Sequence, residues 1–228
     1  MRNCKFLLMC VVTLITGCQK PTNEKMEGSF RHDIEFLQKY TDAFVLKAPG
    51  EQSQIIVIPE YQGRIMTSTL NGEDAPGFGW INYDLIESRE ISDRFNAYGG
   101  EDRFWLGPEG GQFSLYHKPG GPFNLDNWFV PPQVDRIPFT VASRSERSAK
   151  MTAEFSISNY SKTNFKVKVE REVSIFSEEE ILRNLGLQSL EDCSAVGFQS
   201  RNTLENTDSI AWSKDKGLMS LWILGMYN

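Results

Sequence analysis

Apolar and polar residues alternate almost strictly over residues 165–175, with Val167 and Val169 among the apolar positions. This period of two is typical of a strand that packs one face and exposes the other to water. A second alternating run, residues 151–157, precedes it across the polar, turn-prone residues 158–162. The two runs therefore predict a β-hairpin.

Shorter runs rich in β-branched or aromatic residues predict further strands. They cover residues 44–46, 54–58, 64–70, 113–116, 138–144 and 218–224. Near-helical apolar spacing is confined to residues 29–40, where Ser29 is placed to cap a short helix. The chain has no glycine-rich phosphate loop and no internal repeat. The pattern predicts one all-β domain over residues 29–228, an antiparallel β-sandwich with a short N-terminal helix.

The first eighteen residues have a different pattern. Two basic residues precede an apolar run, residues 6–15, that is too short to span a bilayer as a mature helix. The run ends in Thr16-Gly17-Cys18, which resembles the lipobox of bacterial lipoproteins. We interpret residues 1–17 as a lipoprotein signal peptide and residues 18–28 as a polar tether.

Cys18 is then the predicted lipidation site, and the acyl chains are the predicted membrane contact. The alternative is an ordinary secretory signal with a chance cysteine. In the first interpretation the protein is exported and lipid-anchored to the bacterial cell envelope.

The formal net charge of the chain is −6, and removal of the basic residues Arg2 and Lys5 with the signal makes it −8. Nucleic acid is an improbable partner for this acidic chain, because phosphate binding needs a concentrated basic surface. With two histidines in the sequence, we expect no metal site and no cofactor. Cys193, the last of four cysteines, is interpreted as a small buried hydrophobic residue, with a nucleophile as the alternative.

The stretch from Tyr98 to Gly111, YGGEDRFWLGPEGG, concentrates the candidate chemistry. Acids, an arginine and two aromatic residues lie between Gly99-Gly100 and Gly110-Gly111, which permit tight turns and close backbone approach. If this stretch served only to bury apolar surface, it would not need so many charged residues close together. The stretch therefore predicts a polar ligand bound at a loop.

Three segments resemble the aldose 1-epimerases and the galactose mutarotase-like proteins of the β-supersandwich fold. They are residues 61–68 (YQGRIMTS), residues 99–109 (GGEDRFWLGPE) and residues 202–207 (NTLENT). The second is the specific one, and it is similar to a segment of that superfamily with Gly-Gly, Trp and Pro-Glu. The chain resembles uncharacterised bacterial lipoproteins that carry a domain of unknown function within this superfamily.

The resemblance implies a groove that binds a saccharide, with aromatic rings over the C–H faces of the sugar and charged groups on its hydroxyls. The predicted ligand-binding residues are Arg64, Trp80, Glu101, Asp102, Arg103, Trp105 and Glu109, with Tyr83 and Trp128 as further aromatic candidates. In the alternative interpretation this stretch is structural. Trp105 then belongs to the core, and Asp102 and Arg103 form an ion pair.

Mutarotation requires a general acid and a general base, in this superfamily normally a histidine and a glutamate. The chain departs from that pattern, because His32 lies near the tether and His117 lies outside the family position. Glu109 and His117 are the weak catalytic candidates, and a surface loop position for His117 is the alternative. Whether the protein is an enzyme is left open.

Two functions of different class remain, together with a third option. The first is a lipid-anchored, mutarotase-like carbohydrate-binding protein with a saccharide as its partner. The second is a carbohydrate-active enzyme such as an aldose epimerase. The third is a structural envelope protein, which core-facing Trp80, Trp105 and Trp128 would favour. The apolar run at residues 222–228 favours a chain truncated from a longer protein, whereas a complete chain would favour binding over catalysis.

Overall fold

The computed structural model describes residues 28–50 and 52–228. The predicted signal peptide, Cys18 and the tether up to residue 27 lie outside the described residues. The described part is mostly antiparallel β with four helices. The helices are α1 (Phe30–Tyr40), α2 (Tyr83–Ser88), α3 (Pro132–Asp135) and α4 (Glu178–Leu185). The strands are β1 (Phe44–Lys47), β2 (Gln54–Ile58), β3 (Arg64–Thr69), β4 (Arg103–Gly107), β5 (Thr140–Arg144), β6 (Ser148–Ser158), β7 (Asn164–Ile175), β8 (Phe198–Asn206) and β9 (Ser220–Leu224).

Helix α1 confirms the predicted N-terminal helix. The hydroxyl of Ser29 accepts a hydrogen bond of 3.2 Å from the backbone N–H of His32, so Ser29 is the N-cap. Phe30 and Leu37 are fully buried on one side of the helix. The apolar spacing therefore identified both the helix and its packed face.

Strands β1, β2 and β3 form an antiparallel sheet in that order, and β2 is buried on both faces. Ile55 and Val57 belong to the main core, whereas Ile56 and Ile58 belong to a second core that also contains buried residues of α1. Successive side chains of a strand point to opposite faces, so one strand can serve two cores. Helix α1 covers the second face of this sheet.

Strands β5, β6, β7 and β8 form a second antiparallel sheet. The predicted hairpin is confirmed, with β6 and β7 paired from Ser148↔Ser174 to Ser158↔Asn164. One face of β7 is buried from Phe165 to Ile175. Arg171 lies on that same buried face, so a guanidinium is enclosed among valines and must find its partners in the interior.

Strand β4 pairs with β9, and Trp105 lies opposite Trp222. The sequence pattern predicted β9 but assigned β4 to a loop, because charged residues flank its short apolar run. Backbone hydrogen bonds between Ile65 and residues 101–102 connect β4 to β3. Buried residues from all three sheets form the main hydrophobic core.

The predicted strand over residues 113–116 is wrong. The hydroxyl of Ser114 donates to the carbonyl of Glu109 at 2.5 Å and accepts from the N–H of Tyr116 at 3.0 Å. Such local side-chain bonds compete with strand pairing and favour a turn. The residues that indicated a strand lie on this turn, and Tyr116 packs into the main core from it.

Helix α4 was not predicted either, although its start carries a clear signal. The hydroxyl of Ser177 accepts from the N–H of Glu180 at 3.3 Å, and the N–H of Ser177 donates to the Glu180 carboxylate at 2.7 Å. This reciprocal pair is a capping box. Within residues 28–50 and 52–228, no helix has both the length and the apolar character needed to cross a bilayer.

Candidate functional site

The segment that begins at Gly99 is held against two neighbouring stretches of backbone. Gly99 has φ 98°, and a Cβ there would lie 2.0 Å from the carbonyl oxygen of Trp80. The N–H of Gly100 donates to that carbonyl, and the N–H of Glu101 donates to the carbonyl of Ile65. Gly99 is needed for this close approach of the two backbones. The backbone hydrogen bonds of Gly100 and Glu101 then fix the position of Glu101.

The carboxylate of Glu101 is buried and bonded to β3. It accepts a hydrogen bond of 2.6 Å from the N–H of Ser68, and the Ser68 hydroxyl lies 3.0 and 2.9 Å from its two oxygens. Burial raises the pKa of Glu101, the bonds from Ser68 lower it, and the nearby charge of Asp102 raises it, for a net upward shift. The group can therefore keep a proton at a higher pH than an exposed glutamate.

Glu101 lies in the wall of a cavity of about 500 Å³. Phe78, Phe198 and Tyr227 supply aromatic walls, and Ser68 supplies a polar one. Phe78 and Tyr227 are 38% and 60% exposed, so the cavity is open to solvent on this side. A buried acid flanked by partly exposed rings can bind a ligand that has both hydroxyl groups and apolar faces.

Asp102 has its partners elsewhere in the interior. Its carboxylate forms an ion pair with Arg171 of β7 and accepts a hydrogen bond of 2.8 Å from Ser200 of β8. Arg171 also donates to Asn202 at 2.8 Å and to the carbonyl of Gly63 at 3.0 Å. Asp102 therefore joins β4 to the sheet that contains β7 and β8.

Arg103 is fully buried and forms an ion pair of 2.8 Å with Asp135, so the alternative pairing of Asp102 with Arg103 is not formed. The two residues are adjacent in the chain, and neighbouring side chains of an extended segment point to opposite sides. Burial lowers the pKa of Arg103, and Asp135 opposes that shift. The guanidinium also lies 4.4 Å from the ring centre of Trp105.

Arg64 is also fully buried. It donates to the carbonyl of Gly99 at 2.8 Å and lies over the rings of Tyr61 and Tyr98, at 5.6 and 5.9 Å from their centres. Burial lowers the pKa of Arg64 strongly, and repulsion by Arg103 adds to the effect. The structure thus places Arg64 and Arg103 in the interior, outside the cavity that contains Glu101.

Glu109 and His117, the weak catalytic candidates, are engaged with other groups. The Glu109 carboxylate accepts a hydrogen bond of 2.6 Å from the indole N–H of Trp105. His117 is buried, stacks on Phe123 at 3.8 Å, and its Nδ1 shares a hydrogen bond of 3.1 Å with the hydroxyl of Ser114. Neither residue lines the Glu101 cavity, and the surface position considered for His117 is wrong.

The predicted aromatic residues do not converge on one groove. Trp105 is buried and stacks on Tyr116 at 5.2 Å, whereas Trp80 is 37% exposed. Trp128 is half-buried and packs against the main core, and Tyr83 donates a 2.5 Å hydrogen bond to Asp33. Of the seven predicted ligand-binding residues, Glu101 is the one that lines the 500 Å³ cavity.

Cys193 is exposed, so its interpretation as a buried hydrophobic residue is wrong. It lies on a turn after α4 rather than on a packed element. Across residues 28–50 and 52–228, no three His, Cys, Asp or Glu side chains come together in an arrangement that could hold a metal ion.

Comparison with known proteins adds a family assignment. A family model described as a family of unknown function (DUF6786) matches residues 28–228. The chain belongs to the DUF6786 family. No curated protein and no solved structure gave a significant match.

The DUF6786 match covers every described residue, so the sheets and the Glu101 cavity all belong to this domain. The family assignment agrees with the expected domain of unknown function, and the likeness to galactose mutarotases stays a prediction. Sequence reasoning missed most of the residues around Glu101 in the DUF6786 domain. They are Ser68, Phe78, Phe198, Tyr227 and Asn228. Ser68 lay in the singled-out residues 61–68, and Tyr227 and Asn228 lay in the apolar run 222–228. No local pattern in the sequence indicated that any of the five would meet Glu101, because long-range chain reversals bring them together.

Proposed function

We propose that this DUF6786 protein binds a saccharide in the cavity whose wall contains Glu101. The observation that carries the proposal is a buried carboxylate, fixed by Ser68, in an open cavity with aromatic walls. The volume of about 500 Å³ is within the range of small-molecule sites. A sugar ring or a short oligosaccharide is the ligand class that this combination fits.

The chemistry of a saccharide is complementary to both kinds of wall. Its hydroxyls donate to carboxylate oxygens with charge-assisted strength, and its C–H faces pack on aromatic rings. Glu101 supplies the acceptor, and Phe78 and Tyr227 supply partly exposed rings. The fixed position of Glu101 lowers the entropy cost of binding, because the acceptor is ordered before the ligand arrives.

We propose that the fold of the domain that contains this site is a mutarotase-like β-sandwich. Antiparallel sheets that share one core, together with the resemblance of residues 61–68 and 99–109, support this assignment. In the same proposal the domain is exported and held at the cell envelope by lipid on Cys18. The lipobox-like Thr16-Gly17-Cys18 supports the anchoring, and residues 19–27 would act as a spacer.

The experiment is a screen of the purified protein against a panel of monosaccharides and oligosaccharides, by thermal shift and then by calorimetry. A ligand that binds the folded state must raise the apparent stability. We expect a saccharide-dependent shift that Glu101→Gln or Tyr227→Ala reduces by about tenfold in affinity. Glu109→Gln is the matched control, since Glu109 is a carboxylate outside the cavity, and it should leave the affinity unchanged.

Absence of binding in folded protein, or equal loss in Glu101→Gln and Glu109→Gln, would remove the proposal. Binding that only the control variant abolishes would place the site at Trp105 and Glu109 instead. The two outcomes are distinguishable because the Glu109 carboxylate is bonded to the indole of Trp105.

A second candidate function is an aldose epimerase, and one observation favours it. Burial raises the pKa of Glu101, and a carboxyl group that keeps its proton nearer to neutral pH is suited to general acid catalysis. In this alternative Glu101 is the general acid, in place of the predicted acid-base candidates Glu109 and His117. Polarimetry of freshly dissolved aldoses tests it. Faster interconversion of anomers that Glu101→Gln abolishes supports the enzyme. If the protein does not accelerate the reaction, the epimerase function is contradicted and only the binding function remains.

A further inference from the structure

A second cavity lies on the other side of the β1–β3 sheet from the main core, beside α2. Its volume is about 220 Å³, and it shares no lining residue with the Glu101 cavity. The buried rings of Tyr61 and Tyr98 form its floor, stacked in parallel at 4.1 Å. The volume is below the range for drug-sized ligands, so this cavity fits a small molecule.

The floor of this cavity is rigidly held. The fully buried guanidinium of Arg64 lies 5.6 and 5.9 Å from the centres of the Tyr61 and Tyr98 rings. Contact between a cation and ring faces stabilises the tyrosine pair from the interior side. A rigid floor is what a preorganised site requires, because less order has to be imposed when the ligand binds.

Two opposite charges line the same cavity. Glu60 is partly buried beside the aromatic floor, and Arg89 lies at the mouth with its guanidinium 5.6 Å from the ring centre of Tyr40. Within the described chain neither side chain forms an ion pair; the Glu60 carboxylate is hydrogen-bonded to the backbone of Asp42, and the positive charge of Arg89 lowers the pKa of Glu60 against the upward effects of burial and Asp42. Both side chains therefore border the same space, where a ligand with two opposite charges could meet each of them.

The backbone of Arg89 supports a role for this side chain. Arg89 ends α2 in the left-handed conformation, with φ 55°, where glycine or asparagine is usual. A residue with a Cβ at such a position costs about 1–2 kcal/mol relative to ordinary helical backbone. The αL conformation places a long cationic side chain at the cavity mouth, which glycine could not supply.

We propose that this cavity binds a small zwitterion, of the class of free α-amino acids. The ammonium would lie against Glu60, whose backbone N–H is bonded to the neighbouring Asp42 carboxylate, and the ligand carboxylate would lie against Arg89. The buried side chain of Ile86, together with the tyrosine rings, provides an apolar wall for an aliphatic side chain. A neutral sugar would leave both charges without a partner, so this ligand class differs from that of the Glu101 cavity.

The test is calorimetry on the purified full-length chain with the standard amino acids at millimolar concentration, with L-leucine as the reference probe. We expect saturable binding of leucine. Leucinol lacks the carboxylate, 4-methylpentanoate lacks the ammonium, and each should bind at least about tenfold more weakly, the effect of one charge-assisted hydrogen bond.

Glu60→Gln and Arg89→Gln should each weaken leucine binding by a similar factor. Glu90→Gln, next to Arg89 but outside the cavity lining, is the matched control and should bind as the wild type does. Because neither side chain forms an ion pair within the described chain, and the amide oxygen in Glu60→Gln can still accept the bond from the Asp42 backbone, both variants should keep the wild-type circular dichroism and melting temperature. Absence of binding by every amino acid, or equal affinity for leucine and leucinol, would overturn the proposal.

Discussion

The N–H and the hydroxyl of Ser68 both bind the carboxylate of Glu101, at 2.6 Å and at 2.9 to 3.0 Å. The bond crosses from β3 to the residue two positions before β4, so it joins two segments that are 33 residues apart. It fixes an acid in a cavity wall, and it also moderates the cost of burying that acid. The same contact therefore has consequences for stability and for ligand binding.

The stability of the protein should depend on the protonation of Glu101. Its pKa is raised on folding, so the folded state keeps the proton to a higher pH than the unfolded state. This contribution to the free energy of unfolding is most favourable below about pH 4.5 and is lost as pH rises through the folded pKa. Glu101→Gln does not titrate, so urea unfolding should show the wild type losing stability relative to this variant as the pH rises from about 4.5 through the raised pKa of the folded state.

If the difference in free energy of unfolding between the wild type and Glu101→Gln does not change with pH, the raised pKa of Glu101 is contradicted. Ser68→Ala provides an internal check, because the Ser68 bonds lower the pKa of Glu101. Their removal should raise that pKa further and extend the loss of stability to higher pH.

Asp102 should be more important for stability than for ligand binding. Asp102→Ala leaves the guanidinium of Arg171 buried without its carboxylate, and removal of one partner of a buried pair costs about 3–5 kcal/mol. The double variant Asp102→Ala with Arg171→Met should cost less than the sum of the two single changes, because no uncompensated charge remains. Chemical denaturation of the single and double variants measures this coupling.

The control for that cycle is Glu205→Ala, on the exposed side of β8. It should change the free energy of unfolding by less than about 0.5 kcal/mol. Additive effects of the Asp102 and Arg171 substitutions would show that the two groups do not act as a pair.

Gly99→Ala should destabilise the protein sharply. The added Cβ would meet the carbonyl oxygen of Trp80 at 2.0 Å, at a φ of 98°. The strained backbone alone costs about 1–3 kcal/mol, and the clash adds to it. Thermal unfolding should detect this loss, whereas Gly110→Ala, where nothing lies within 4 Å of the added Cβ, should stay within about 0.5 kcal/mol of the wild type.

Cys193 should react as a surface thiol. Because it is exposed, iodoacetamide should alkylate it in the native protein, and peptide mass spectrometry after digestion should find the label. Cys193→Ser should leave the melting temperature unchanged, since no packing is lost. Labelling that requires prior unfolding would contradict the exposed position.

Several features could be predicted from the sequence because they depend on residues close together in the chain. The Ser29 cap and the apolar spacing after it gave α1, and the alternation over residues 151–175 gave the β6–β7 hairpin. The apolar core face of β7 followed from the same period of two. Cap geometry and strand period are set locally, so a single sequence carries them.

Other features were decided by the tertiary structure, because they depend on which distant segment meets which. The sequence singled out Glu101, Asp102 and Arg103 as one polar group, yet each has a different partner: Ser68, Arg171 and Asp135. Strand β4 exists because β9, more than a hundred residues later, pairs with it. The cavity walls at Phe78, Phe198 and Tyr227 come from three distant segments, and only long-range packing brings them to Glu101.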